Sequence, residues 1–249
     1  YALLAIDAPW HGLRARGGPG DTMNRYTGED GPDGFGDRSG SAVVIDFAGI
    51  MDFSGPLVEF HPAYFRDAMR QSAADLVSAA RTVRGDWAPL EVAAPGLEGF
   101  RFSAEPMGFI GNSLGGMIGT MFVAVEPEVG ATVLGVTGGS VLTLVVESPS
   151  FNPAYLPQLY PLLGLETSNI DYDALSPVFE PELALWQPLF DRGDSVAYGA
   201  ALSRGAQHLL MLMSPDDTQM PNASPTSLPR VNRVTKIPAA PPPEAPTPG

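Results

Sequence analysis

The sequence predicts an α/β fold built on a doubly wound, mostly parallel β-sheet. Apolar runs of strand length recur along the chain and are separated by segments with helical periodicity. One stretch, Met107–Val125, joins both patterns, because an apolar run leads through a glycine-rich turn into an apolar helical segment. The chain has 249 residues, 44% of them hydrophobic, which suits one sizeable domain. The other predicted buried strands are Ala2–Ile6, Ala131–Val136 and His208–Met213.

The turn at residues 111–115 reads Gly-Asn-Ser-Leu-Gly, which matches the pattern G-x-S-x-G. Between a strand and a helix, this pattern is typical of a nucleophile elbow, in which the serine hydroxyl faces a cleft. Ser113 is therefore the candidate nucleophile. The backbone N–H of Leu114, at the start of the helix, is the candidate oxyanion donor. The alternative is a glycine-rich turn with an incidental serine.

Three further residues are candidates for substrate binding. Asn112 and Gly115 flank the serine, and we expect a side chain at Gly111 or Gly115 to collide with the neighbouring strand and helix. The third candidate is His11, in the turn Asp7–Gly12 that follows the first predicted strand. We favour a structural role for His11 in that turn, because the base that serves such an elbow follows the serine in chain order.

The segment between the first strand and the elbow contains a polar region and one long helix. Gly28–Gly40 places three aspartates among glycines, and such a loop is either a calcium-binding loop or, as we favour, a solvated one without the glutamate of an EF-hand. From Tyr64 to Arg84, apolar residues recur at spacings of three and four, which predicts an amphipathic helix. His61 precedes this helix in the expected entry turn.

Residues 140–205 are predicted to form a helical lobe that resembles a lid beside the elbow. The segment is far longer than a crossover between two parallel strands requires. It divides the chain into a core with the elbow (1–139), the lobe (140–205), a core strand with an acidic loop (206–235) and a proline-rich disordered tail (236–249). The candidate helices of the lobe are Val141–Val146, Tyr155–Leu163, Leu183–Phe190 and Val196–Leu202.

Two aspartates follow the last predicted strand directly. Functional groups of open α/β sheets lie just beyond the carboxyl ends of strands. Asp216 and Asp217 both meet that condition. We favour Asp217 as the catalytic acid.

Composition narrows the classes of partner. The formal charge of −14, from 28 acidic and 14 basic residues, disfavours nucleic acid and anionic membrane surfaces. The absence of cysteine excludes disulfides, thiolate catalysis and cysteine-ligated metals. No apolar run reaches the length of a membrane span, so we expect no stable membrane insertion. The chemistry of a serine nucleophile requires neither a metal nor a cofactor, and we expect none.

Six segments taken in order resemble secreted bacterial lipases and esterases of the α/β-hydrolase superfamily, of the virulence-factor-type extracellular kind. The resemblance covers about residues 1–228 and is most specific at the elbow and at the spacing Asp-x-x-x-Pro, which Asp217 and Pro221 match. The segments are IDAPWHG, RDAMRQSAADL, GFIGNSLGGMIGT, VLGVTGGSV, ESPSF and LLMLMSPDDTQMPNAS.

The resemblance implies an α/β-hydrolase fold with a lid-like insertion. It also implies hydrolysis of carboxylic esters of small molecules or lipids, and a location outside the cell or in the cell envelope. Acyl transfer to Ser113 would be assisted by a histidine that Asp217 orients.

One feature departs from the pattern of the family. No histidine follows Asp217, since the three histidines are His11, His61 and His208. The strand that carries the first oxyanion donor in the family would precede Ala2. We therefore expect a fragment truncated at both ends, with weak or no ester hydrolysis of its own. The alternatives are a catalytically inactive binding protein of the same fold, and a peptidase or acyltransferase on the same scaffold.

Overall fold

A computed structural model gives the fold of the chain. It describes residues 4–6, 51–52, 59–60, 62–85, 105–151, 185–205 and 208–232. Several predictions lie outside these residues, namely those for His11, His61, the turn Asp7–Gly12, the loop Gly28–Gly40, the helix Tyr155–Leu163 and the tail 236–249.

A three-stranded parallel sheet forms the centre of the described structure. Its strands are β3 (Met107–Asn112), β4 (Val129–Gly135) and β5 (His208–Leu212), in the order β3-β4-β5. Two shorter strands, β1 (Met51–Asp52) and β2 (Glu59–Phe60), pair with each other in antiparallel fashion. The combination of a parallel sheet and helices confirms the predicted α/β class.

Helices connect and surround these strands. Two 3-10 helices, Asp191–Gly193 and Ser195–Tyr198, lie in the same part of the chain as two short α-helices. No helix within the described ranges is both long and apolar enough to span a bilayer. The α-helices are α1 (Pro62–Arg84), α2 (Leu114–Val125), α3 (Val141–Glu147), α4 (Gln187–Phe190), α5 (Gly199–Gly205) and α6 (Ala223–Asn232).

The core lies on one face of the sheet, beneath α2. Phe109 of β3 points to that face and its ring lies 5.3 Å from the ring of Phe122 in α2. Leu134 of β4 is fully buried on the same face. Both α1 and α5 pack against the other sides of α2. Sequential parallel strands are joined by right-handed crossovers, so connections that advance in one direction lie on one face of the sheet. This explains why α2, between β3 and β4, and α5, between β4 and β5, lie on the same face.

The opposite face of the sheet is exposed. Ile110, Val133 and Leu210 occupy one row across the three strands, and Ile110 is 80% exposed. Leu212, at the carboxyl end of β5, is 50% exposed. The prediction that β3 and β5 are buried strands was therefore wrong for one face of each, because successive side chains of a strand point to opposite faces and the described helices cover only one.

The predicted strand Ala2–Ile6 is not found among its described residues. Leu4, Ala5 and Ile6 lie outside any strand and are exposed. Apolar composition does not create a strand without a partner, since backbone N–H and C=O groups must be paired across a ladder. No described strand pairs with these three residues.

The helix predictions are confirmed at α1 and at α3. The described part of the predicted helix Leu183–Phe190 is helical over Gln187–Phe190, and the predicted helix Val196–Leu202 is found as the 3-10 helix Ser195–Tyr198 followed by α5. In α1, Phe65, Met69 and Ala73 are buried along one face, as the periodicity predicts. Helix α6 was not predicted, because Pro225 and Pro229 lie within it and proline is a strong helix breaker beyond the first turn.

The close contact between α2 and β3 yields a test of the fold. An added Cβ at Gly119 would lie 2.6 Å from Cζ of Phe109, whereas nothing lies within 4 Å of a Cβ at Gly115. We expect Gly119→Ala to lower the free energy of unfolding by about 1–3 kcal/mol, as overpacking does. Gly115→Ala in the same helix is the matched control. It should raise the free energy of unfolding by up to about 1 kcal/mol, because alanine has the higher helix propensity. Urea unfolding of both variants measures the difference, and equal midpoints would contradict the packing.

Candidate active site

Ser113 is the single residue between the end of β3 and the start of α2. Its backbone has φ 52° and ψ −121°, a conformation that costs a non-glycine residue on the order of 1–3 kcal/mol. The Ser113 N–H donates to the carbonyl of Gly135 in β4 at 2.8 Å. The Ser113 carbonyl accepts from the N–H groups of Gly116 and Met117 at 2.9 and 3.1 Å. The strained backbone is thus held by hydrogen bonds on both sides.

The Ser113 side chain is half-buried and unengaged. It makes no capping hydrogen bond to α2, and no described residue accepts from or donates to its hydroxyl. A left-handed residue between strand and helix turns the side chain out of the ladder, as a nucleophile elbow requires. The hydroxyl is therefore available for reaction.

The N-terminus of α2 provides a donor next to this hydroxyl. Leu114 is the first residue of a 12-residue helix, so its N–H has no acceptor within the helix. No acceptor for this N–H occurs elsewhere in the described part of the chain. The positive end of the helix dipole favours a negative oxygen there. Leu114 remains the predicted oxyanion donor.

The glycines of the turn differ in what they permit. A Cβ on Gly111 would collide with the carbonyl group of Gly115, with the carbon only 2.8 Å away. The expected collision at Gly115 was wrong, since a Cβ there meets open space. The tight position is Gly116, whose Cβ would lie 2.5 Å from Cβ of Thr137. Successive helical residues face different directions, so only Gly116 faces the chain after β4. Asn112 is exposed.

The segment Val136–Ser140, which we call the β4 loop, follows β4 at the carboxyl edge of the sheet. The N–H of Val136 donates to the carbonyl of Leu212 in β5 at 2.9 Å. Val136 and Ser140 have positive φ values of 39° and 57°, which is unusual for non-glycine residues. The Thr137 hydroxyl is buried and has no hydrogen-bond partner. The loop is therefore strained, and other segments must hold it.

Three residues far along the sequence hold the β4 loop. Asp194 accepts from the N–H groups of Ser140 at 2.9 Å and Val141 at 2.7 Å. The hydroxyl of Ser195 donates to the carbonyl of Gly138. On the other side, the hydroxyl of Ser224 in α6 donates to the Gly139 carbonyl at 2.8 Å. These bonds satisfy backbone groups that the buried loop cannot pair by itself.

Asp194 was not found by sequence reasoning. Within its own segment, Asp194 has only the features of a helix N-cap. Its carboxylate accepts from the N–H of Val196 at 3.1 Å at the start of a 3-10 helix. Gln187 donates to the same carboxylate at 3.2 Å. Burial raises the pKa of the Asp194 carboxyl above its ordinary value, and the N–H donors oppose this rise.

The two candidate acids differ in their contacts. One oxygen of Asp217 accepts from the N–H groups of Gln219 at 2.8 Å and Met220 at 2.9 Å. No described residue donates to its other oxygen, which leaves it for an imidazole. Asp216 is exposed with φ 57°, and no described residue bonds to its carboxylate. Asp217 stays the predicted acid.

The loop that carries Asp217 is attached to α3. The carbonyl of Thr218 accepts from the hydroxyl of Ser148 at 2.9 Å and from the N–H of Ser150 at 3.1 Å. The loop follows β5 at the same edge of the sheet as Ser113. Two inter-strand spacings of about 4.8 Å separate β3 from β5, so the strand ends that lead to Ser113 and to the acid loop lie roughly 10 Å apart.

His208, in contrast, lies at the other end of β5. It is exposed and pairs with Ala131 near the amino end of β4. Four residues at about 3.3 Å each place it roughly 13 Å from Leu212 along the strand. Of the three histidines, the one that the structure describes is therefore remote from the elbow.

No group of three or more His, Asp or Glu side chains within the described residues has an arrangement that could hold a metal ion. Comparison of the chain with protein-family models, with curated proteins and with solved structures finds no match. The interpretation of the site therefore depends on the geometry of the chain itself.

The strain at Ser113 can be measured by two substitutions at that residue. Ser113→Gly should relieve the cost of a positive φ, and Ser113→Ala should retain it. We expect the glycine variant to have a free energy of unfolding about 1 kcal/mol higher than that of the alanine variant. In an ordinary helical position the order is reversed, so a more stable alanine variant would contradict the observed backbone.

Proposed function

We propose that the chain is a serine-dependent carboxylic ester hydrolase of the lipase and esterase type, with an α/β-hydrolase fold. The observation that carries the proposal is the left-handed backbone of Ser113 between β3 and α2. A glycine-rich turn with an incidental serine gives no reason for a non-glycine residue to occupy that strained position. Strain at such a residue is typical of active sites.

In the proposed reaction, the Oγ atom of Ser113 attacks the carbonyl carbon of the ester and its proton passes to a base. The carbonyl oxygen becomes an oxyanion that accepts a hydrogen bond from the Leu114 N–H. Collapse of this intermediate expels the alcohol, which takes the proton. Water then attacks the acyl-serine by the same steps and releases the acid.

In this proposal, Ser113 is the nucleophile, Leu114 gives one oxyanion donor and Asp217 is the acid, and no described residue is proposed as the base. Asp217 would orient an imidazole through the oxygen that no described residue contacts. His208 lies at the opposite edge of the sheet. Because a neutral serine hydroxyl is a poor nucleophile, the proposal predicts very weak ester hydrolysis wherever no imidazole reaches Ser113.

Exposed apolar side chains support an apolar acyl group. Leu212 and Met213 lie at the carboxyl edge of the sheet, which is also the edge where Ser113 lies, and both are exposed. The net charge of −14 disfavours anionic substrates. Helix α5 packs against α2, which supports a lobe of residues 140–205 next to the elbow helix. A location outside the cell or in the cell envelope is proposed on the resemblance alone.

The test supplies a base from solution, because the one histidine that the structure describes, His208, is remote from Ser113. Hydrolysis of p-nitrophenyl acetate by the 249-residue chain is measured at rising imidazole concentration, and the rate of Ser113→Ala is subtracted to remove catalysis by imidazole itself. General-base catalysis contributes about 10²–10⁴-fold, so we expect the Ser113-dependent rate to rise at least tenfold.

Ser78→Ala is the matched control, because Ser78 is an exposed serine on α1 whose hydroxyl bonds to the carbonyl of Ala74. This variant should behave as the unmodified chain does. Equal rates for the unmodified chain and Ser113→Ala at every imidazole concentration would contradict the hydrolase. That result would favour the binding protein, which is supported by the absence of an imidazole near Ser113 among the described residues.

A further inference from the structure

Asp194 is a buried anion held by uncharged donors. Its side chain is 0% exposed, and no cation among the described residues pairs with it. One oxygen accepts from the N–H groups of Ser140 and Val196, and the other accepts from the N–H of Val141 and the amide of Gln187. A carboxylate offers about four acceptor positions, so all of them are used.

A carboxylate is required at this position by the number of donors. An asparagine of the same size would turn an NH₂ group toward two of the four hydrogen-bond donors. Either orientation leaves two donors of the set without an acceptor in a buried place, which is costly. The donors that most need the carboxylate are the N–H groups of Ser140 and Val141. They lie at the start of α3 and have no acceptor within the helix.

The Asp194 contacts lead to Ser113 through the β4 loop. Ser140 ends the loop, and Thr137 within it packs against Gly116 in the first turn of α2. Gly135, immediately before the loop, accepts the N–H of Ser113. Ser113 and the first turn of α2 are therefore linked to Ser140, which Asp194 holds, through Gly135 and the β4 loop between them.

We propose that Asp194 is a positioning residue for Ser113, because it fixes the β4 loop against the first turn of α2. This role rests on the proposed function of Ser113. Asp194 does not touch the substrate, since its acceptor positions are occupied and its side chain is buried. Loss of its carboxylate releases the Ser140 and Val141 amides, lets the β4 loop move and relaxes the turn that presents the nucleophile.

The test combines amide exchange with labelling of Ser113 in the full 249-residue chain. In Asp194→Asn, the amides of Ser140 and Val141 should exchange with deuterium at least tenfold faster, while amides in the middle of α1 change less. Labelling of Ser113 by a fluorophosphonate, with imidazole present as the base, should slow about tenfold. The rate is expressed per folded molecule, from circular dichroism of the same sample, so that loss of stability alone does not change it.

Two variants keep the test decisive. Asp191→Asn is the matched control, because Asp191 is exposed in the same segment and its carboxylate bonds, among the described residues, only to the Gln187 side chain. This variant should label at the unmodified rate. Gln187→Met removes one of the four hydrogen-bond donors to Asp194 and should slow labelling of Ser113 about two- to fivefold. This variant provides the test if Asp194→Asn does not fold.

The outcomes separate the two proposals. Faster exchange in Asp194→Asn with unchanged labelling, or a Gln187→Met variant that labels at the unmodified rate, would overturn the positioning role alone. If the unmodified chain is not labelled at Ser113 even with imidazole, the proposed function fails, and the positioning role fails with it.

Discussion

The backbone of Ser113 is the constraint on which the candidate site depends. One residue must end a parallel strand and begin a helix, and it does so in a left-handed conformation that its neighbours enforce. The hydrogen bond to Gly135 keeps it in the ladder on one side, and the first turn of α2 holds its carbonyl on the other. The same geometry leaves the Ser113 hydroxyl and the Leu114 N–H next to each other, both without a partner among the described residues. Strain, nucleophile and donor are therefore consequences of one turn.

The β4 loop is the second requirement, because it is where three separate segments meet. Its backbone is satisfied by Asp194 and Ser195, from the segment before α5, and by Ser224 from α6. Hydrogen bonds as well as apolar packing therefore hold the loop that follows β4. Buried hydrogen bonds are directional and are costly to leave unmade, so this arrangement specifies one position for the loop next to the elbow.

Local patterns were sufficient to predict the strand, the turn and the helix around Ser113, and the long helix α1. The strand, turn and helix of Met107–Val125 and the helix α1 follow from short-range periodicity and glycine placement. The sequence did not show which face of a strand would be covered, so β3 and β5 were expected to be buried on both faces. That property depends on the direction of the crossovers and not on the residues of the strand.

Contacts between distant segments account for the remaining misses. Asp194 reads as a local N-cap, yet its main partners, Ser140 and Val141, lie more than fifty residues earlier. A side chain at Gly115 was expected to collide with its neighbours, because Gly115 belongs to the G-x-S-x-G pattern. The residue that packs closely against Thr137 is instead the neighbouring Gly116. The preference for Asp217 over Asp216 came from spacing and stays a prediction; the structure adds that the Asp217 carboxylate accepts from the N–H groups of Gln219 and Met220.

A crystal structure of the chain after reaction with a fluorophosphonate tests the central claim most directly. The account predicts a phosphorus–oxygen bond at Ser113, with φ still positive and the phosphoryl oxygen about 2.7–3.1 Å from the Leu114 nitrogen. An adduct whose phosphoryl oxygen points away from the N-terminus of α2, or a Ser113 backbone with negative φ, would contradict it.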